Sequence, residues 1–180
     1  GQISFRARLA IPDNRSASFR SSVGKIRVSG ALHDNGLQFA AGVDVIPQRG
    51  TMTRTPGTVS VANADSVVVL FSAATNYRLA YPDYRGTPPM PSVEMRISAA
   101  LAKPFYVLEQ RHVADHRALF GRVALDIGQR VSALPTDRLL ASYDKGDAIQ
   151  DRTPEALYFQ FGRYLLIGSS RAGSLPANLQ

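Results

Sequence analysis

Cysteine is absent from this sequence of 180 residues, which excludes disulfide bonds and thiolate metal sites. Lysine is scarce, because only Lys25, Lys103 and Lys145 contribute to the 21 basic residues and the others are arginines. No apolar run approaches the roughly 18 residues that a membrane-spanning helix needs, so we expect no membrane partner. An apolar content of 44% is nevertheless ordinary for a globular protein with its own core.

The formal net charge of +7 raises the question of a nucleic-acid partner. The basic residues are scattered singly from Arg6 to Arg171, with no basic cluster and no motif that combines basic and aromatic residues. Charge distributed in this way is typical of a solvated surface, so we expect no nucleic-acid partner.

The first half of the sequence predicts β-strands. Alternation of apolar and polar residues, or a short apolar run, marks five segments: 3–11, 25–32, 37–46, 57–61 and 66–73. Gly30 is a candidate bulge in the second segment. The last segment is apolar on both faces, which predicts a strand buried inside a sandwich. Regular strands separated by turn residues predict an antiparallel β-sandwich or barrel.

Helical periodicity begins at Glu94, after a loop rich in tyrosine and proline, and gives two helical stretches with Pro104 at their junction. Residues 125–147 are predicted to be mainly loop. Thr153 and Pro154 then predict the start of a helix, with Thr153 as N-cap. This helix is apolar on nearly all sides, so we predict that other elements pack around most of its surface. A chain of 180 residues with two other predicted helices supplies too few of them. We accordingly expect the chain to be a piece of a larger protein.

His112, Asp115 and His116 share one face of a predicted helix. The pattern is close to the His-x-x-Glu-His motif of inverted zinc proteases, but no third ligand is marked. The alternative is that these polar groups hydrogen-bond to an adjacent segment, and we adopt that interpretation.

No catalytic, cofactor-binding or metal-ligating residue can be assigned from the sequence. The glutamates Glu94, Glu109 and Glu155 lie at helix starts or on helices, and no two carboxylates stand out as a pair for sugar hydrolysis. The segment 169–180 has more hydrogen-bonding groups than its surroundings. Arg171, Asn178 and Gln180 are candidates to lie near a substrate, because planar donors and acceptors suit sugar hydroxyls, but they equally suit bracing a loop.

The same segment, together with the helix before it, resembles a known family. The sequence LYFQFGRYLLIGSSRAGSLPANLQ resembles the opening of the catalytic domain of glycoside hydrolase family 95, the α-L-fucosidases. In that family a helix containing Phe-Gly-Arg-Tyr-Leu-Leu runs into Ser-Ser-Arg-x-Gly and then Pro-Ala-Asn-Leu-Gln-Gly. HVADHRALFGRVALDIG is similar to the linker helices of the family. DNGLQFAAGVDVI and ADSVVVLFSAATNY are similar to late strands of its N-terminal β-sandwich.

The resemblance implies an α+β chain: a β-sandwich portion followed by linker helices and one helix of a barrel. Residues 1–93 would be the end of the N-terminal sandwich, 94–152 the helical linker, and 153–180 the start of an (α/α)6 catalytic barrel. The remainder of the barrel would belong to the same polypeptide and would bind the glycan substrate.

The resemblance also implies an activity: release of terminal α-1,2-linked L-fucose, or of L-galactose, with inversion and without a cofactor or metal. A Glu acts as general acid in the family, and an Asn with help from an Asp activates water. These residues come from barrel segments beyond the Pro-Ala-Asn-Leu-Gln loop, so the chain alone is expected to be inactive. The family also implies a secreted or periplasmic location.

A different class of function remains open, namely a non-catalytic β-sandwich module that is structural or binds carbohydrate. Its motif is Tyr77, Tyr81 and Tyr84, which could stack on sugar rings or pack at a domain interface.

Overall fold

The computed structural model describes residues 1–177 and divides the chain into two compact units, Gly1–Leu108 and Glu109–Gln180. Antiparallel strands are followed by helices, which confirms the predicted fold class. The strands are β1 Ile3–Arg8, β2 Arg15–Ser22, β3 Lys25–Leu32, β4 Gln38–Gln48, β5 Thr51–Thr55, β6 Thr58–Ala64 and β7 Ser66–Thr75. The helices are α1 Met90–Leu101, α2 Phe105–Phe120, α3 Thr136–Ser142 and α4 Ala148–Ser169. None of these helices is both long enough and apolar enough to cross a membrane.

Two antiparallel sheets make the first unit, with strand orders β1-β6-β5 and β2-β3-β4-β7. Side chains alternate across each strand, so one face of each sheet can bury its apolar residues against the other sheet. The buried cluster between the sheets consists of Ile26, Val43, Val45, Val59, Val61 and Ala64. Phe5, Ala7 and Leu9 pack against it, as the alternation in the first strand segment predicted.

Helix α1 covers the opposite face of the larger sheet. Val93 and Ile97 of α1 are buried against Ala40 of β4. A Cβ atom at Gly42 would lie 2.8 Å from Ile97 Cδ1 and 3.0 Å from Val93 Cγ1. Glycine at this position therefore allows the helix to approach the sheet closely, and β4 becomes buried on both faces.

A charge network that includes the buried Asp44 joins this helix to the sheet. Asp44 on β4 is almost fully buried, and Arg27 Nη1 on β3 lies 2.5 Å from its Oδ1 atom. The same guanidinium donates from Nε and Nη2 to the two carboxylate oxygens of Glu94 on α1, at 2.8 and 3.1 Å. The hydrogen bond from Arg27 lowers the pKa of Glu94 below its ordinary value. Lys25 Nζ is a more distant second cation, 3.8 Å from Asp44 Oδ2.

Several predictions about the strands were wrong. β2 and β5 were not predicted, because RSASFRSS and TMTRT lack a regular apolar alternation. Gly30 is not a bulge, since it pairs in register with Ala17 and Phe39. A Cβ there would collide with the backbone oxygen of Ser16, so the glycine permits close strand approach instead.

Strand β7 is not buried on both faces, contrary to the prediction. Val69 and Phe71 are 49% and 63% exposed. They lie opposite Val45 and Val43 in the ladder, so they belong to the inner face of the larger sheet. Within residues 1–177, β7 is an edge strand of the larger sheet, and the smaller sheet packs over β2, β3 and β4.

The helical boundaries also differ from the predictions. Helix α1 begins at Met90, four residues before the predicted change of period, with a proline in its first turn. Helix α3 lies within the segment predicted to be mainly loop, and its seven residues are too few to show a clear period.

Helix α4 begins at Ala148, so the predicted start at Thr153 is wrong. Asp147 is the N-cap, and its Oδ1 atom accepts hydrogen bonds from the amides of Ile149 and Gln150. The Thr153 hydroxyl donates to the carbonyl of Arg130 instead of capping the helix. Pro154 therefore lies inside the helix, where it has no N–H to donate to the carbonyl of the preceding turn.

We predict that Arg27→Met lowers the free energy of unfolding by about 3 kcal/mol, because Asp44 would stay buried without its nearest cation. Arg49→Met is the matched control, since Arg49 forms a solvent-exposed ion pair with Asp65 and its loss should cost below about 1 kcal/mol. Urea denaturation followed by circular dichroism measures both. Equal effects of the two substitutions would contradict the prediction.

Candidate functional site

Aromatic side chains pack between α2 and α4 in the second unit. His116 and Phe120 are one helical turn apart on α2, with ring centroids 5.1 Å apart. Tyr164 of α4 lies 5.9 Å from the His116 ring and stacks with Phe161. The Nε2 atom of His116 is buried and has no hydrogen-bond partner in the part of the chain that the structure describes.

Arg163 of α4 binds the C-terminal end of α2. Its Nη2 donates to the carbonyl of Phe120 at 2.7 Å, and its Nη1 donates to the carbonyl of Val123 at 2.9 Å. Nη1 also donates to Gln160 Oε1 at 2.6 Å, and the guanidinium lies 4.6 Å from the centroid of the Phe120 ring. The last carbonyls of a helix have no intrahelical donors and carry partial negative charge, so a cation is favourable there.

A second arginine of the family motif contacts the same helix. Arg171, just after α4, donates from Nη2 to the carboxylate Oδ2 of Asp115 on α2. Its carbonyl accepts from the amide of Ser174 at 2.9 Å, and its own amide donates to the Ser174 hydroxyl at 2.8 Å. The ion pair therefore joins a hydrogen-bonded turn to the middle of α2.

Three contacts give the relative direction of the two helices. Phe120 meets Arg163, His116 meets Tyr164, and Asp115 meets Arg171. Residue numbers fall along α2 as they rise along α4, so the two helices are antiparallel where they meet.

The two interpretations of His112, Asp115 and His116 can now be compared. The hydrogen-bonding interpretation is confirmed at Asp115, which pairs with an adjacent segment through Arg171. Within residues 1–177, no three His, Asp or Glu side chains converge in a way that could hold a metal ion.

Of the three residues predicted to lie near a substrate, only Arg171 is described, and it braces a turn against α2. Asn178 and Gln180 lie outside the described residues. Sequence reasoning missed Arg163 and Tyr164, although both lie in the Phe-Gly-Arg-Tyr segment. The available signal was that Arg163 is the one charged residue of the segment 156–167, which is otherwise mainly apolar, so its guanidinium needs an acceptor.

A cavity of about 510 Å³ lies in the second unit, between residues 125–136 and helices α3 and α4. Its lining side chains are apolar or uncharged apart from Arg130, and they include no carboxylate and no histidine. No lining side chain therefore has the chemistry of a general acid for sugar hydrolysis.

Comparison with known proteins agrees with these elements. The model of the glycosyl hydrolase family 95 catalytic domain matches residues 104–180. The model of the glycosyl hydrolase family 65 N-terminal domain matches residues 1–80. The chain belongs to glycoside hydrolase family 95. Helices α2 to α4 thus lie in the part that matches the catalytic domain, and all seven strands lie in the part that matches the N-terminal domain.

Curated relatives include two proteins from fungi and one from a plant. Probable alpha-fucosidase A of Aspergillus niger is 32% identical over 157 residues, which are 81% of this chain and 19% of the relative. Alpha-L-fucosidase 2 of Arabidopsis thaliana is 32% identical over 152 residues, which are 81% of this chain and 18% of the relative. Probable alpha-fucosidase A of Aspergillus oryzae is 32% identical over 130 residues, 68% of this chain and 18% of the relative. The chain spans about a fifth of the length of these relatives.

We predict that Arg163→Lys destabilises the second unit by about 2 kcal/mol, because a single ammonium cannot reach both carbonyls in the geometry of the guanidinium fork. Amide hydrogen exchange in α2 reports the loss directly. Arg111→Lys on the exposed surface of the same helix is the control and should leave exchange unchanged. Equal exchange in the two variants would contradict this role of Arg163.

The Asp115–Arg171 pair should contribute less, since the side chains are 59% and 36% exposed. A double-mutant cycle of Asp115→Asn and Arg171→Gln is expected to give a coupling free energy of up to about 1 kcal/mol. Protection of the Ser174 amide should fall in both single variants but not in Glu109→Gln, a substitution at an exposed position of α2. Strictly additive effects would show that the pair does not brace the turn.

Proposed function

We propose that this chain is part of a glycoside hydrolase that releases terminal L-fucose from glycans. The observation that carries the proposal is the order of the two family matches, an N-terminal domain at 1–80 followed by a family 95 catalytic domain at 104–180. The names of three relatives, each an alpha-fucosidase, support fucose as the sugar. L-galactose shares the ring configuration of L-fucose and is the second candidate sugar.

For the mechanism we propose a single displacement with inversion at an α-1,2 linkage. A carboxylic acid protonates the departing glycosidic oxygen while an activated water attacks the anomeric carbon from the opposite face. The two reacting groups must lie roughly 6.5–9.5 Å apart so that the water fits between them and the sugar.

The glutamates of this chain have other contacts or positions. Glu94 is bonded to Arg27, Glu155 accepts a hydrogen bond from the Tyr143 hydroxyl at 3.0 Å, and Glu109 is exposed on α2. We therefore propose that the general acid and the water-activating residues lie in polypeptide beyond these 180 residues. Asn178 and Gln180 remain candidates for contact with the sugar.

We further propose that residues 153–180 begin an (α/α)6 barrel, after a sandwich portion at 1–93 and a linker at 94–152. The exposed apolar side chains of α4 support this layout, because a helix of a closed barrel has neighbours on most sides. Those at least 48% exposed are Leu157, Tyr158, Phe161, Tyr164, Leu165 and Leu166. Fucosylated glycans occur mainly on secreted material and cell surfaces, so we propose a secreted or periplasmic location.

The test is a fucose-release assay on 2′-fucosyllactose, followed by proton NMR. We expect no release by the 180-residue chain, and release by the longer polypeptide with β-L-fucose as the first product, since inversion converts the α-linkage into a β-anomer. Release by the 180-residue chain would overturn the assignment of the reacting groups. Failure of the longer polypeptide to act on L-fucosyl and L-galactosyl glycosides would overturn the proposed function.

A further inference from the structure

Three tyrosines form an exposed cluster in the first unit, on residues 76–86, here called the tyrosine hairpin. The rings of Tyr77 and Tyr84 are nearly parallel, with an interplanar angle of 7° and centroids 6.4 Å apart. Tyr81 meets Tyr84 edge-on at 6.4 Å. Tyr81 is 86% exposed, and the other two rings are 41% and 38% exposed. The cluster therefore presents aromatic surface to solvent.

The hairpin is fixed to the sheet by hydrogen bonds at its base. The buried Asn76 exchanges two hydrogen bonds with Gln38, from its own amide at 3.0 Å and to its Oδ1 at 2.9 Å. Gly86 N donates to the carbonyl of Asn76 at 2.6 Å, and Arg85 Nη2 donates to the carbonyl of Asn35 at 2.7 Å. A surface ordered in advance loses little conformational entropy on binding a ligand.

Tyr84 has an unusual backbone conformation. Its φ is +51°, in the left-handed region where a bulky side chain costs about 1–2 kcal/mol. Its amide donates to Ala80 at 2.9 Å and its carbonyl accepts from Arg78 at 3.3 Å, so the fold of the hairpin maintains this conformation. Glycine would remove the strain but also the ring that lies parallel to Tyr77.

The hairpin also carries polar groups that its own fold does not use. Within residues 1–177, the three tyrosine hydroxyls, the Arg78 guanidinium and the Asp83 carboxylate form no hydrogen bond or ion pair with the protein. The ligand that fits must present apolar faces to the rings together with both donors and acceptors. A pyranose does so, since its C–H faces are apolar and its hydroxyls both donate and accept. The charged side chains of the hairpin are of both signs, Arg78, Asp83 and Arg85, so it is not a basic cluster of the kind that binds a polyanion such as nucleic acid.

We propose that the tyrosine hairpin is a binding site for a neutral oligosaccharide, with Tyr81 as the principal stacking surface. The proposal rests on the proposed function only in the choice of a fucosylated probe. It requires no reaction, so its success or failure can be measured separately from fucose release.

The experiment titrates 2′-fucosyllactose and lactose into the 180-residue chain, with binding observed by saturation-transfer-difference NMR. We expect saturable binding that Tyr81→Ala weakens about tenfold, the loss of one aromatic stacking contact. Tyr158→Ala is the matched control, because Tyr158 on α4 is 82% exposed and lies outside the hairpin. Tyr81 supports no core residue, so its removal should leave the thermal unfolding midpoint unchanged.

Two results would overturn the proposal: no saturable binding of either sugar by the folded chain, or equal binding by the Tyr81→Ala variant. A separate measurement tests whether the hairpin is instead covered by protein. Nitration of the tyrosines by tetranitromethane in the longer polypeptide should proceed at Tyr81, and protection of Tyr81 would also overturn the proposal. Binding by the 180-residue chain together with failure of the longer polypeptide to release fucose would reject the enzymatic function alone. Release by the longer polypeptide without binding by the 180-residue chain would reject the hairpin site alone.

Discussion

Open carbonyl groups at the C-terminal end of α2 impose the constraint on which the second unit depends. A helix end cannot satisfy these acceptors itself, and Arg163 of α4 donates to one of them, the carbonyl of Phe120, as well as to the carbonyl of Val123 in the following loop. Once Arg163 is placed at Phe120, the antiparallel direction of α4 brings Tyr164 to His116. Arg171, two residues after the end of α4, reaches Asp115, more than one helical turn nearer the start of α2 than Phe120. The Phe-Gly-Arg-Tyr and Ser-Ser-Arg segments, which first indicated the family, thus contribute side chains to one packing arrangement.

Arginine performs a related task in the first unit, and this explains part of the unusual composition. Arg27 contacts a carboxylate on a neighbouring strand and another on α1 at the same time. Arg85 donates to a backbone carbonyl at the base of the tyrosine hairpin. Each contact uses the planar, multidirectional donors of a guanidinium, which lysine cannot reproduce. The excess of arginine over lysine therefore reflects internal hydrogen bonding as well as surface charge, and the net charge of +7 does not by itself require a polyanionic partner.

The sequence predicted the features that depend on local pattern and missed those that depend on distant contacts. Alternation or a short apolar run identified β1, β3, β4, β6 and β7, because each has an apolar face that must be buried. It could not identify β2, whose pairing with β3 relies on backbone hydrogen bonds rather than on an apolar face. The start of α4 was misplaced because Thr153 bonds to Arg130, a contact between residues 23 positions apart. At the candidate site, the bonding of Asp115 to an adjacent segment was predicted, but its partner was not, since sequence spacing does not specify which loop returns to α2.

The predicted burial of two elements differs from their observed burial, and the physical reason is not the one that displaced the helix boundaries. The pattern of β7 predicted burial on both faces, and that of α4 predicted neighbours nearly all round, yet Phe71, Tyr158 and Leu166 are each more than half exposed. Large apolar side chains exposed to this degree are costly in water. The relatives are more than four times as long as this chain, so their remaining polypeptide is long enough to cover apolar surfaces of this kind. Pattern and structure therefore disagree at apolar positions of β7 and α4 that the side chains of residues 1–177 leave exposed.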